Sequence, residues 1–119
     1  MIKKIMFALL FFAAFAHAEI FVNGFSLDQT DCHYIKVEIE YALNRTQVYV
    51  DYGQNEPIRK RRVTDETGEK KFFISVADAL NVFYRNGWKI KEIFIVPGGG
   101  SEDSSISGTI FYIFERQIE

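Results

Sequence analysis

The residues from Tyr34 to Tyr41 alternate strictly between two kinds of side chain. The apolar side of this run is formed by Ile35, Val37, Ile39 and Tyr41. A period of two residues is the pattern of a β-strand with one buried face, and it is typical of antiparallel sheets. The chain is therefore expected to build its core on a sheet that has one face turned inward.

The alternation resumes from Thr46 to Gly53, where Val48 and Val50 continue the apolar side. Asn44-Arg45 separates the two runs, so they predict a hairpin with a short loop at residues 42–45. A second, polar hairpin is expected from Val63 to Phe73, with Gly68 in its turn.

One helix is predicted from Ser75 to Asn86. Ser75 is a suitable N-cap because Asp78 follows three residues later, as in a capping box. Helical spacing gives an apolar stripe of Val76, Ala77, Leu80, Phe83 and Tyr84. We expect a structural role for four residues of this region: Ser75 as the cap, Asn81 bonded to the backbone, Gly87 as the left-handed stop, and Trp88 packed near Phe83. For Asn81 the alternative is that it marks a functional site.

Two further strands are expected, at Lys89–Val96 and Ser107–Arg116. The second is apolar on both faces, which places it in the middle of the sheet with covering on each side. Pro97–Ser105 reads as a loop, and Glu19–Phe25 as an edge strand with a bend at Asn23-Gly24. The predicted fold is α+β: a mainly antiparallel sheet of about four to six strands, with one helix (about 75–86) on one face.

Residues 1–18 have the three parts of a secretory signal. Lys3 and Lys4 precede an apolar run from Ile5 to Ala16. In Ala16-His17-Ala18, the two alanines are small residues at the positions where a signal peptidase requires them. The run of 12 residues is short of the ~20 that a membrane anchor needs. We therefore expect cleavage before Glu19, leaving residues 19–119 as a single domain that is periplasmic or secreted.

Basic residues gather between Ile58 and Lys71, where six of them stand against three acidic ones. The whole chain carries a formal charge of −2, and loss of Lys3 and Lys4 takes it to −4. The cluster has two interpretations: a solvated edge that discourages aggregation, or a surface that binds an acidic partner. The candidate binding residues are Arg59, Arg61 and Arg62, with Tyr34 and Tyr49 as amphipathic contacts.

The single Cys and two His exclude a disulfide framework and a Cys/His zinc site. Cys32 has three possible roles, as a buried inert thiol, an intermolecular disulfide or a nucleophile, of which burial is favoured. A dyad of Cys32 with His33 is disfavoured because neighbours in a strand point to opposite faces. We expect no metal site, no cofactor and no catalytic set.

The helix with its Leu80-Asn81 pair, the Gly87-Trp88 turn and the C-terminal hairpin ending in Phe114-Glu115-Arg116 resemble small exported bacterial domains of unknown function. Those domains also carry an Asp-Tyr-Gly strand, matched here by residues 51–53. The resemblance covers roughly residues 34–116. It implies a sheet with one helix across a face, and it implies no activity, cofactor or catalytic residue.

The functional expectation is an exported domain that binds a protein or a surface polymer without catalysis. Two alternatives stay open: a small hydrolase that uses His33, and a structural subunit of an oligomer with open sheet edges. Nucleic acid is not expected as a partner, since the exported chain is acidic.

Overall fold

The computed structural model describes residues 19–97 and 108–117. The predicted leader at 1–18, most of the loop at 97–105 and the start of the last strand at Ser107 lie outside the described residues. In the described part, the elements are β1 (Phe21–Val22), β2 (Phe25–Ser26), β3 (Tyr34–Ala42), β4 (Arg45–Asp51), β5 (Val63–Thr64), α1 (Val76–Arg85), β6 (Trp88–Pro97) and β7 (Gly108–Arg116), with single 3-10 turns at Leu27–Gln29 and Ile58–Lys60.

The strands form two antiparallel sheets, so the predicted α+β fold is confirmed. The larger sheet has the order β4-β3-β7-β6, and the smaller has the order β2-β1-β5. One hydrophobic core joins one face of the larger sheet to α1 and to the small sheet, which contributes Val22 and Val63. We call this core-facing side the inner face of the larger sheet and the opposite side its outer face.

The hairpin of β3 and β4 confirms the first prediction. Val37 pairs with Val50 across the strands, and both side chains are fully buried. Leu43 and Asn44 have φ angles of 53° and 62°, which is the backbone of a two-residue turn whose twist matches the strands. The prediction was wrong at Tyr41, which is 64% exposed, because its ring reaches over the turn and its hydroxyl donates to Asn44 Oδ1.

The strand predicted at Glu19–Phe25 is divided at the expected bend. Asn23 and Gly24 both have positive φ, and they link β1 to β2. β1 also pairs with β5, so this segment belongs to the small sheet and not to the edge of the larger one. The reason is that Val22 packs into the core against the inner face of the larger sheet. β1 therefore does not extend that sheet.

The polar hairpin has the expected turn at Gly68, whose φ is 92°. Thr64 bridges to Lys70, and Asp65 N–H donates to Glu69 O at 2.8 Å. The Thr67 hydroxyl, which donates to the Asp65 carboxylate, is the main cause that lowers the pKa of that carboxyl. The turn is therefore held by side-chain as well as backbone hydrogen bonds.

The helix begins and ends as predicted, but the face that packs on the core differs from the predicted one. Ser75 Oγ accepts from Asp78 N–H at 3.1 Å, and the Asp78 carboxylate accepts from Ile74 N–H at 2.9 Å. Ala79 and Phe83 are buried. The predicted stripe is wrong at three positions that are exposed, namely Val76, Ala77 and Tyr84. Asn81, expected to bond the backbone, is exposed, and no hydrogen bond of its side chain occurs among the described residues.

β7 is an inner strand of the larger sheet, as predicted, but only one of its faces is covered. Tyr112 and Phe114 are buried on the inner face, whereas Phe111 and Ile113 are half-buried on the outer face. The prediction of covering on each side was wrong because α1 and the small sheet both pack on the same side. Among residues 19–97 and 108–117, no helix or second sheet packs on the outer face.

Arg116, at the end of β7, links the C-terminal strand to the N-terminal loop. Its guanidinium lies 4.6 Å above the ring of buried Trp88. Arg116 Nε donates to Cys32 O at 2.9 Å, and Nη2 donates to Leu27 O and Thr30 O at 3.2 Å. Charge-assisted hydrogen bonds of this kind are among the stronger polar contributions to stability.

We expect Arg116→Met to lower the free energy of unfolding by about 2 kcal/mol or more, since it removes the side-chain donor of the partly buried Thr30 O and Cys32 O and the cation over the Trp88 ring. Urea unfolding followed by the fluorescence of Trp88 measures the change. Arg85→Met, at the exposed end of α1, is the control and should have a much smaller effect. Equal stability losses in the two variants would contradict this role of Arg116.

Gly87 should resist substitution for a purely conformational reason. Its φ is +88°, and a Cβ placed there meets no atom within 4 Å, so steric crowding is not the issue. Gly87→Ala should therefore cost ~1 kcal/mol of stability, and Gly87→Asn should cost less because Asn tolerates this conformation. Thermal unfolding of both variants tests the order, and an unchanged midpoint for Gly87→Ala would contradict it.

Candidate functional site

The segment from Ile58 to Phe73 runs along the free edge of β4. Val50 N–H donates to Arg61 O at 2.7 Å, and Phe73 N–H donates to Thr46 O at 2.8 Å. Tyr49 and Arg62 form an isolated bridge between these two attachments. The segment covers the edge of β4, and its side chains border the outer face of the sheet.

A basic groove lies where this segment meets the start of β4. We define it by the residues that line a cleft of about 450 Å³: Leu43, Arg45, Gln47, Arg62, Lys70 and Phe72. The Phe72 ring is 41% exposed, and the guanidinium carbons of Arg45 and Arg62 lie 4.8 and 4.9 Å from its centre. The groove thus combines three cations with one aromatic ring.

The cations of the basic groove lack acidic partners in the described part of the chain. Within residues 19–97 and 108–117, no carboxylate lies within 4.0 Å of Arg45, Arg62 or Lys70. Arg62 Nε and Nη2 are buried, and neither has a hydrogen-bond acceptor among the described residues. These two nitrogens are donors suited to a carboxylate or another planar anion.

A second cleft, of about 150 Å³, follows the outer face toward the end of β4. Arg61 borders it, lying 4.0 Å from Asp51 and donating through Nε to Glu56 O. Its remaining lining includes Lys36, Glu38, Tyr49, Ile58 and Phe111. Because its charges have both signs, this cleft lacks the unpaired positive character of the basic groove.

Burial is the largest cause that raises the pKa of Glu38. The neighbouring charge of Glu40 raises it further, and that of Lys36 opposes both. A raised pKa means that the folded protein holds this proton more tightly than the unfolded chain does. Ionised Glu38 is therefore a small destabilising feature of the second cleft.

The structure brings together only some of the five predicted binding residues. Arg62 lies in the basic groove, and Arg61 and Tyr49 lie in the second cleft. Arg59 is exposed and lines neither cleft. Tyr34 is 50% exposed at the far end of β3, where its ring makes an edge contact with His33.

Sequence reasoning missed Arg45, Lys70 and Phe72 as partners of Arg62. Arg45 opens β4, and Lys70 and Phe72 belong to the returning arm of the polar hairpin. The sequence contained one indication of such a site, because the aromatic Phe72 directly follows the basic pair Lys70-Lys71. Their convergence with Arg45 depends on pairing between segments, which no local pattern contains.

Cys32 and His33 have separate partners. Cys32 Sγ lies 2.9 Å from Thr30 Oγ1 and is half-buried, not fully buried as predicted, because it precedes β3 in a loop. His33 Nε2 lies 3.4 Å from Glu115, which Lys91 also contacts at 3.3 Å. Lys91 is the main cause that lowers the pKa of Glu115.

Over the described ranges, no three His, Cys, Asp or Glu side chains are grouped as metal ligands would be. The one helix described there is neither long nor apolar enough to cross a membrane. Comparison with protein-family models, with curated proteins and with solved structures finds no match for this chain. The resemblance to small exported domains therefore stays a prediction.

The raised pKa of Glu38 predicts a definite dependence of stability on pH. The folded protein binds more protons at this site, so stability falls as the pH rises from the ordinary carboxyl range through the folded pKa. Glu38→Gln should remove this loss: the variant should be the more stable protein at pH 7, with the difference shrinking below pH ~4.5. Urea unfolding at pH 4 and pH 7 measures it, with Glu66→Gln in the exposed turn as control. A Glu38→Gln variant less stable than the wild type at pH 7 would contradict the prediction.

Proposed function

We propose that this protein is an exported, non-catalytic binding domain that holds an acidic partner, a protein or a surface polymer, in its basic groove. The proposal rests on the unsatisfied hydrogen-bond donors of Arg62. Its Nε and Nη2 are buried and lack an acceptor among the described residues. An unsatisfied buried donor costs ~1–3 kcal/mol, so a shift of the guanidinium that turned these nitrogens toward an anion in the groove would recover part of that cost.

The surroundings of Arg62 favour an anion over a neutral ligand. Arg45 and Lys70 add two further charges at the same cleft, and neither has an acidic partner among the described residues. Stacking on Phe72 holds the two guanidinium groups in place, which reduces the entropy lost on binding. The chain as a whole is acidic, so the attraction is a local property of the groove.

The residues of the basic groove also favour binding over catalysis. They offer cations, one amide and one aromatic ring, and they include no His, Cys, Ser, Asp or Glu that could act as nucleophile or general base. His33, on which a hydrolase would depend, is bonded to Glu115 and lines neither of the two clefts described above. The hydrolase alternative thus has no supporting geometry at the groove.

The test is the binding of poly-glutamate and of polygalacturonate to the purified protein, measured by titration calorimetry in 50 mM and 200 mM salt. Arg45→Glu combined with Lys70→Glu should weaken binding to the recognised polymer at least tenfold, because both exposed cations face the cleft. Rising salt should weaken the wild type and affect the variant less.

The matched control is Arg59→Glu combined with Lys89→Glu, which makes the same change in net charge outside the groove. It should change affinity less than about threefold, since neither side chain lines the groove and salt weakens the attraction of exposed charges that make no direct contact. Equal losses in the two double variants, or no binding of either polymer by the wild type at 50 mM salt, would contradict the proposal. Thermal unfolding confirms that each variant is folded.

A further inference from the structure

The larger sheet has one open edge in the part of the chain that the structure describes. β4, at one end, is covered by the segment from Ile58 to Phe73. β6, at the other end, pairs with β7 alone. An uncovered strand presents unpaired N–H and C=O groups on which another strand can pair.

β6 consists of two unlike halves. The first half carries Lys89 and Lys91, and Lys91 is the extra residue of a β-bulge between Ile90 and Glu92. Charged residues and bulges are devices that protect sheet edges. The second half, from Glu92 to Val96, has regular pairing and no basic residue.

This second half exposes apolar side chains. Ile93 and Ile95, on the inner face, are 54% and 64% exposed, and Val96 is 45% exposed. Ile110, directly opposite Ile95 on β7, is 39% exposed and extends the patch. An exposed apolar edge of this kind is a surface on which a strand of another chain can pair.

We propose that β6 pairs with β6 of a second copy of this chain, antiparallel and centred on Phe94. The bulge at Lys91 and the missing N–H of Pro97 limit the regular edge to Glu92–Val96. Phe94 is the midpoint of that segment, so a twofold axis there gives the longest uninterrupted pairing. A symmetric interface of this type uses the same surface on both copies.

The side chains of the segment fit this arrangement. Ile93 lies opposite Ile95 of the second copy, and the reverse pair follows by symmetry, so four isoleucines meet on the inner face. Lys89 and Lys91 of the two copies lie at opposite ends of the paired segment. A parallel pairing would instead set identical lysines side by side, where like charges repel. The segment is thus complementary to itself in one orientation.

The paired segment is short, and this determines the expected affinity. Five residues per copy form an interface smaller than the standard ~1,600 Å², for which dissociation constants range from micromolar to picomolar. The dimer is therefore expected to be reversible, with a dissociation constant that is roughly micromolar or larger. Its mass should change with concentration within the range that sedimentation can cover.

Sedimentation equilibrium of the protein from 1 µM to 1 mM provides the test. The wild type should show a monomer–dimer equilibrium, and Ile95→Lys should weaken it at least tenfold by placing a charge at the interface. Ile74→Lys is the matched control: Ile74 is 91% exposed, lies before α1 and should leave the equilibrium unchanged. A wild-type monomer at 1 mM, or an Ile95→Lys variant that dimerises as the wild type does, would overturn the proposal.

A cysteine scan tests the register in a Cys32→Ser background. Phe94→Cys faces itself across the twofold axis, so oxidation should link the two copies, because opposed residues lie within the span of a disulfide. Val96→Cys faces Glu92 of the second copy and should be linked much more slowly. Equal rates, or faster linking at position 96, would overturn the centre at Phe94.

Discussion

The stacking of Phe83 on Phe114, with ring centres 5.0 Å apart, seats the helix on the inner face of the larger sheet. The small sheet packs on the same side, where Val22 and Val63 join the same core. Since α1 and the small sheet both lie on one side, no described element covers the outer face along β4 and β7. Both clefts, and with them the candidate binding site, depend on this one-sided packing.

Two arginines each place their guanidinium group over an aromatic ring, but their hydrogen bonding differs. Arg116 lies over Trp88 and donates to carbonyl groups of the N-terminal loop, which makes it a structural clamp. Arg62 lies over Phe72, yet its Nε and Nη2 lack acceptors among the described residues. A stacked guanidinium with satisfied nitrogens stabilises the fold, whereas the unsatisfied nitrogens of Arg62 are the basis of the binding proposal.

The two proposals are independent but geometrically compatible. The basic groove lies on the outer face at β4, and the proposed dimer contact lies at β6, on the opposite edge of the same sheet. A twofold axis perpendicular to the sheet would leave both grooves open on the same side. An extended acidic polymer could then contact two grooves at once, which raises avidity without any new contact.

Local structure was largely predictable from the sequence, because it depends on residues close together in the chain. The alternation from Tyr34 to Tyr41, the cap at Ser75 and the left-handed stop at Gly87 each reflect the conformational preference of a few neighbouring residues. The helix stripe was the exception, because the elements packed against α1, and not the local pattern, decided which face is buried; Tyr41 was another, because its ring lies over its own turn.

The strands, the helix, their turns and the concentration of basic residues between Ile58 and Lys71 thus follow from local patterns in the chain. Which of those cations lie together follows from the packing of the strands. This packing placed Arg62 beside Arg45 and Lys70 and left Arg59 apart, because strand register sets distances that spacing along the chain does not contain. The open edge at β6 has the same origin, since the exposure of a strand depends on the order of strands in the sheet.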